Sequence, residues 1–287
     1  MAFACGAVDM ENVGDQATGH SQRTILMIKD LFSLDGRVAL VTGGSRGIGR
    51  MIADGFLMQG AKVYISSRKA DQCDATAAAL SANGGTCISL PQDISTVDGC
   101  RALTERLAGL EPHLDILVNN AGAAWGAEFD LFPESGWDKV MNLNLKSPFF
   151  LTQALHGLLT AAARPERPSK VINIASIDGI HLNPQETYSY HASKSALIYL
   201  TRRMAARLIA DNIVVTAIAP GAFASDMNRD ARDRAEAVAK RIPMGRIGTD
   251  EDMAAAAIYL ASRAGDYVVG ATLPVDGGVS MASLTSI

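Results

Sequence analysis

Metal-ligand spacing is missing from this sequence. The four cysteines, Cys5, Cys73, Cys87 and Cys100, form no CxxC pair, the five histidines are scattered, and no HExxH occurs. A zinc site needs such ligands brought together by spacing or fold, so no metal is expected. Unpaired cysteines at irregular spacing read as reduced thiols, which places the chain in the cytoplasm. Long apolar runs are missing too. The longest uncharged stretch, residues 147–163, contains Thr152, Gln153, His156 and Thr160, which suits a buried amphipathic helix rather than a membrane span. Basic charge is in short supply: Lys and Arg total 26 against 30 Asp and Glu, leaving a net charge of −4. That balance argues against general binding to nucleic acid or anionic membranes. The opening MAFACGAVDMENVGDQ has no basic n-region and no long apolar core, so it is not a secretory signal.

What is present is an ordinary globular composition. Hydrophobic residues make up 48% of the 287, charged residues 20%, aromatics only 6%, and glycines number 26. A disordered chain would have far less apolar content. A chain of this length buries roughly three-quarters of its unfolded surface, so it needs no disulfide or structural metal.

Residues 1–32 are polar, small and without period, and are expected to form a loosely held extension; Met27 is a second candidate start. Residues 33–287 are expected to form one domain. From Arg37 onward, short β-branched runs alternate with Ala/Leu-rich segments. The runs are Val38–Val41, Val63–Ile65, Cys87–Leu90, Leu114–Val118, Val171–Ile174, Ile213–Ile218 and Thr272–Val275. Each is nearly continuous and bounded by Gly, Pro, Asn or Asp, the pattern of strands buried on both faces. Between them, segments such as Ile48–Gln59 and Thr96–Leu110 carry apolar residues at three- and four-residue spacing. Alternating strands and helices give right-handed βαβ units. The fold expected is α/β: a single doubly wound, Rossmann-type domain with a seven-stranded parallel sheet flanked by helices. In such a fold ligands bind at the carboxyl ends of the strands.

The first strand runs into Thr42-Gly43-Gly44-Ser45-Arg46-Gly47-Ile48-Gly49, followed by a helix. Glycines here let backbone approach a pyrophosphate, which the helix N-terminus attracts with its free N–H groups. The candidate phosphate contacts are Gly43, Ser45, Arg46, Gly47, Ile48 and Gly49. The second strand ends Ser66-Ser67-Arg68. An NAD-specific site needs a carboxylate there for the ribose 2′-hydroxyl. Ser67, Arg68 and Arg46 suit a 2′-phosphate instead, so NADP(H) is expected.

Further along, Tyr190-His191-Ala192-Ser193-Lys194 opens an apolar helix running towards Asp211. Four-residue spacing puts Tyr190 and Lys194 on one face. A phenol titrates near pH 10, and a fixed ammonium beside it is expected to stabilise the phenolate and lower that value. Ser176, just after the fifth strand, is placed to donate a hydrogen bond to a carbonyl oxygen in the same crevice.

With these motifs in order, joined by Asp93 after the third strand, Asn119-Asn120-Ala121-Gly122, Asn144 and Pro220-Gly221, the chain resembles the short-chain dehydrogenase/reductase family over residues 32–282. The resemblance implies that Tyr190 is the general acid in reduction and that Lys194 lowers its pKa and binds the nicotinamide ribose. It implies that Ser176 orients the substrate carbonyl and Asn144 holds a water in a proton relay. By the same likeness Asn120, Ala121 and Gly122 lie along the adenosine, with Asp93 and Ile94 at the adenine. Pro220, Gly221, the Phe223 backbone and Ser225, where the family usually has threonine, lie at the carboxamide. The segments Pro220–Ser225, Ile242–Arg246 and Val275–Gly278 are most similar to β-ketoacyl reductases of the rhamnolipid type.

A reductase of a 3-oxoacyl thioester, on acyl carrier protein or CoA, is therefore expected, with a polyol, sugar-acid or other small-ketone reductase as the alternative. A non-catalytic NADP(H)-binding sensor is the reading from another class. Arg167 is the candidate basic contact for a carrier protein, but the catalytic helix ends Ala210-Asp211-Asn212 where such reductases carry a basic residue. That departure leaves a CoA ester or free ketone open. Ala222–Arg241 is expected to form a short helical lid, with Trp125, Phe129, Asp178, His181 and Gln185 as pocket lining. The resemblance further implies a homotetramer or homodimer, with the helices around Asn144 and after Tyr190 at its interfaces.

Overall fold

The computed structural model describes residues 30–82 and 84–282, so the expected extension over 1–32 lies almost wholly outside the described residues. The seven apolar runs all form strands: β1 (Val38–Thr42), β2 (Lys62–Ser66), β3 (Thr86–Ser89), β4 (Ile116–Asn119), β5 (Ser169–Ile174), β6 (Ile213–Pro220) and β7 (Thr272–Val275). Every pairing is parallel, in the order β3-β2-β1-β4-β5-β6-β7. The order reverses between β1 and β4, and the carboxyl ends of those two strands open the crevice for a ligand.

Ten helices connect the strands among the described residues. They are α1 (Gly47–Met58), α2 (Ala70–Ser81), α3 (Val97–Ala108), α4 (Glu134–Met141), α5 (Ser147–Ala154), α6 (His156–Ala162), α7 (Tyr188–Leu208), α8 (Arg229–Asp233), α9 (Ala235–Ala239) and α10 (Asp250–Ala261). Caps fix several starts. The Thr96 hydroxyl accepts from Gly99 N at the head of α3, and Thr249 and Asp252 form a reciprocal capping box on α10. The single helix expected over 147–163 is two, α5 and α6, which meet at Leu155 (φ −82°, ψ −1°).

Strand side chains alternate between two cores, as a period of two demands. Ala39, Val41, Val63, Ile65, Ile116 and Val118 pack with Ile52 and Phe56 of α1, and with Met253 and Leu260 of α10. Val38, Leu40, Tyr64, Leu117, Val171 and Val215 face the other way, onto Leu103 of α3, Leu151 of α5, Leu159 of α6 and Met204 of α7. Each large apolar side chain so buried contributes about 1.5–3 kcal/mol. Buried charges gather at the amino-terminal rim. Arg37 pairs with Asp115 at 3.3 Å and Lys170 with Asp266 at 2.7 Å, and burial lowers the pKa of both cations. Arg167 belongs to this rim as well, donating to Asp35 O at 3.2 Å. It precedes β5, at the end of the sheet opposite the crevice, so it is not beside the expected active-site entrance.

Candidate active site

The glycine loop turns between β1 and α1 as its residues require. Gly43 and Gly47 sit at φ +65° and +51°, and a Cβ on Gly49 would lie 2.3 Å from Gly43 O. No side chain caps the start of α1 and no acidic residue occupies its first turn, leaving its N–H groups and partial positive charge facing the crevice. Thr42 and Asn120 hold the loop from β4. The Thr42 hydroxyl accepts from the Asn120 and Ala121 N–H groups at 3.0 and 3.1 Å, and Asn120 Nδ2 donates to Thr42 O at 2.8 Å. The Asn120 side chain is therefore a brace for the loop, and only its other surfaces are left for an adenosine. Ile94 is buried in the core beside α3, so its side chain does not face the crevice, whereas Asp93 is exposed and closes a turn by accepting from Ser95 N.

At the end of β2, Ser66 Oγ is buried without a hydrogen-bond partner, Ser67 is half-buried and Arg68 is exposed. Arg46 differs from its expected part. Its guanidinium pairs with Asp226 at 2.6 Å, and Asp226 also accepts from Arg232 at 2.7 Å. Arg46 thus ties the glycine loop to the segment after β6, whereas Arg68 has no ion-pair partner among the described residues. Ser225 lies beside the same loop: a Cβ on Gly47 would come within 3.2 Å of Ser225 Cβ. Gly221 N donates to Val275 O at 2.9 Å, while the Phe223 ring is buried against Gly248. The expected lid is two single-turn helices, α8 and α9.

Ser176, Tyr190, Lys194 and Asn144 meet beyond the ends of β4 and β5. The Ser176 hydroxyl accepts from Asp178 N at 3.1 Å, capping the short turn Ile177–Gly179. Burial pushes the Tyr190 phenol up to about 12; the hydrogen bond from the Ser176 side pulls it down, and the Asp178 charge raises it further. Burial lowers Lys194 to about 8, with Asp178 opposing the shift. With protein groups alone, Lys194 does not draw the phenol's pKa down as expected. Its ammonium lies 5.5 Å from the Tyr190 ring centroid and donates to Ile174 O at 2.7 Å. Across neutral pH this phenol keeps its proton, which suits a donor.

Asn144 sits in a π-turn, Asn142–Lys146, between α4 and α5. Its Oδ1 accepts from Ala123 N at 2.8 Å, and its Nδ2 donates to Ala123 O at 2.9 Å and to Ser193 Oγ at 3.1 Å. Both Nδ2 hydrogens are engaged in bracing, while Oδ1 keeps a second lone pair. Asn144→Ala unpairs these buried groups; we expect a loss of about 1–3 kcal/mol in urea unfolding, and an unchanged midpoint would remove this role.

A deeper layer was not singled out from sequence. Asn119 Nδ2 donates to Asn173 Oδ1 at 2.9 Å and to Thr152 Oγ1 at 3.2 Å, and Asn173 Nδ2 donates to Thr201 Oγ1 at 2.9 Å. This network locks β4, β5, α5 and α7 together. The available signal was Asn173 within the apolar run Val171–Ile174, since a buried amide must find partners. Trp125 and Phe129, expected as pocket lining, are grouped with α4 and the start of α7. Phe129 and Phe132 pack edge-on against Tyr188 at 5.6 and 5.7 Å between centroids, and Lys139 Nζ lies 5.1 Å over Trp125.

Comparison with known proteins places this geometry. A family model described as enoyl-(acyl carrier protein) reductase matches residues 43–280. The rhamnolipids biosynthesis 3-oxoacyl-[acyl-carrier-protein] reductase of Pseudomonas aeruginosa is 49% identical over 250 residues, 86% of this chain and 97% of that one. The 2-dehydro-3-deoxy-D-gluconate 5-dehydrogenase of Escherichia coli is 39% identical, over 88% of this chain and 98% of its own. Among solved structures, the P. aeruginosa RhlG/NADP active-site complex superposes with a TM-score of 0.85 at 49% identity, covering 88% of this chain and 99% of that one. A gluconate 5-dehydrogenase from Burkholderia cenocepacia, in complex with NADP and tartrate, gives 0.82 at 34% identity, covering 89% and 100%.

Proposed function

The chain belongs to the short-chain dehydrogenase/reductase family, and from that premise we propose that it is an NADPH-dependent reductase of a 3-oxoacyl thioester. The observation that carries the reading is the convergence of Ser176, Tyr190 and Lys194 at one strand-end crevice. NADP(H) fits the residues present. The uncapped start of α1, the unpartnered Ser66 Oγ and the exposed Arg68 supply donors and positive charge, and no carboxylate follows β2. The NADP complexes of the RhlG and gluconate 5-dehydrogenase relatives support the same choice.

Gly43, Ser45, Gly47, Ile48, Gly49 and the Arg46 main chain would hold its phosphates, and Ser67 and Arg68 the ribose phosphate. Asp93, the Ile94 main chain, Asn120, Ala121 and Gly122 would flank the adenosine; Pro220, Gly221, Phe223 main chain and Ser225 would hold the carboxamide. When bound, the cofactor supplies the hydride that reaches the carbonyl carbon. Ser176 Oγ donates to the carbonyl oxygen and fixes its direction. Tyr190 Oη, still protonated at neutral pH, delivers its proton to that oxygen, giving the secondary alcohol. Lys194 restores the proton to Tyr190 through the solvent side of the π-turn at Asn144. Orientation and one positioned acid supply the rate.

Arg167 lies at the wrong rim for a carrier protein, which favours a CoA ester over an acyl carrier protein. Exposed Phe149 on α5 and Tyr199 on α7 support a homotetramer built on those helices. Three of the four cysteines, Cys73, Cys87 and Cys100, are buried free thiols, consistent with the cytoplasm; no described helix is long and apolar enough to cross a membrane. The test is NADPH consumption against 3-oxoacyl-CoAs and 5-keto-sugar acids. Faster turnover of the thioesters supports the reading, preference for the sugar acids replaces it, and tight NADPH binding with no turnover of any ketone leaves a sensor.

A further inference from the structure

We propose that Asp178 is a specificity-determining residue that rejects substrates bearing a negative charge next to the reacting carbonyl; the inference rests on the reductase reading. Asp178 lies two residues beyond Ser176, and its own N–H reaches the Ser176 hydroxyl at 3.1 Å. Its carboxylate is held in place, with Oδ1 accepting from Asn183 Nδ2 at 2.8 Å. Asn183 is itself fixed, since its Oδ1 accepts from Gln185 N at 2.8 Å. Oδ2 has no donor among the described residues. The turn Ile177–Gly179 that carries it packs on α7, where a Cβ on Gly179 would meet the Lys194 main chain at 2.7 Å, and the Asp178 charge raises the pKa of both Tyr190 and Lys194.

The charged groups around it each have a partner of their own. Lys194 is 5% exposed and turned to Ile174 O. Glu186, at the far end of the same loop, accepts from the Tyr188 hydroxyl, and Arg232 of the lid is occupied by Asp226 and Asp233. Meanwhile the loop presents Ile180 and Leu182 to solvent. An apolar rim around one fixed carboxylate accepts an uncharged acyl chain and repels an anion. The substrate class is thus a ketone whose neighbouring acid is masked as a thioester or ester, not a free keto acid.

The test pairs ethyl 3-oxobutanoate with 3-oxobutanoate, which share the ketone and differ in charge, in wild type, Asp178→Asn and Asp178→Ala. In wild type kcat/KM favours the ester. Removing the charge should lower that ester-to-acid ratio by about tenfold or more, the size expected of two like charges a few ångströms apart near a protein surface. A structural role for Asp178 would slow both substrates together and leave the ratio alone. An unchanged ratio in both variants, with ester reduction continuing, overturns the inference. Absence of turnover with any neutral ketone or thioester in wild type overturns the reductase reading and this inference with it.

Discussion

Tyr190→Phe should cut turnover by about a thousandfold, within the range by which a positioned general acid accelerates a reaction, while NADPH binding stays within about a factor of two of wild type. The substitution removes one oxygen and keeps the ring, so the packing at the head of α7 is preserved. What is lost is the proton donor, and no neighbour can replace it. Ser176 Oγ is the nearest hydroxyl, but a serine holds its proton far too tightly to donate at neutral pH. Lys194 faces Ile174 O and lies over the ring rather than at its oxygen. Fluorescence titration with NADPH and steady-state turnover on the same preparation separate binding from chemistry. A variant that retains half its turnover would remove Tyr190 from the mechanism.

Arg68→Asp should lower the preference for NADPH over NADH by about a hundredfold or more, read as the ratio of kcat/KM values. Two effects add. A charge-assisted hydrogen bond to the 2′-phosphate, worth about 1.5–3 kcal/mol, is lost. A carboxylate then stands where the phosphate must sit and can accept from the 2′-hydroxyl of NADH instead. The effect is large because Arg46 is engaged by Asp226 at 2.6 Å, leaving Arg68 as the available guanidinium at this end of the crevice. Residue 68 is exposed, so folding is not at issue. An unchanged ratio would show that Arg46 leaves Asp226 and carries the recognition, and Arg46→Ala would then be the variant that shifts it.

The strands were legible because each reads as a nearly unbroken apolar run, and β1, β4, β5 and β6 are buried throughout. Thr272–Val275 is found residue for residue, and β6 exceeds the expected Ile213–Ile218 only by Ala219 and Pro220. The site's membership was legible through spacing, because Tyr190 and Lys194 one helical turn apart and Ser176 after a strand must converge in a doubly wound sheet. Partners were not legible. Spacing shows neither that Arg46 meets Asp226, 180 positions away, nor that both ends of the Asn144 amide bind Ala123. The rise in the Tyr190 pKa was not legible either, because a sequence does not give the burial that drives it. Arg167 was placed by its position in the chain, whereas β5 runs its full length between that residue and the crevice.

The central claim is that this chain passes a hydride from NADPH to a 3-oxoacyl thioester. Purified protein mixed with NADPH and acetoacetyl-CoA tests it most directly, with nicotinamide absorbance followed alongside the acyl-CoA product. The account predicts loss of NADPH matched one for one by 3-hydroxybutyryl-CoA, with NADH a much poorer donor. NADPH that binds but stays reduced with this and longer 3-oxoacyl-CoAs, while 5-keto-gluconate is turned over, would contradict it.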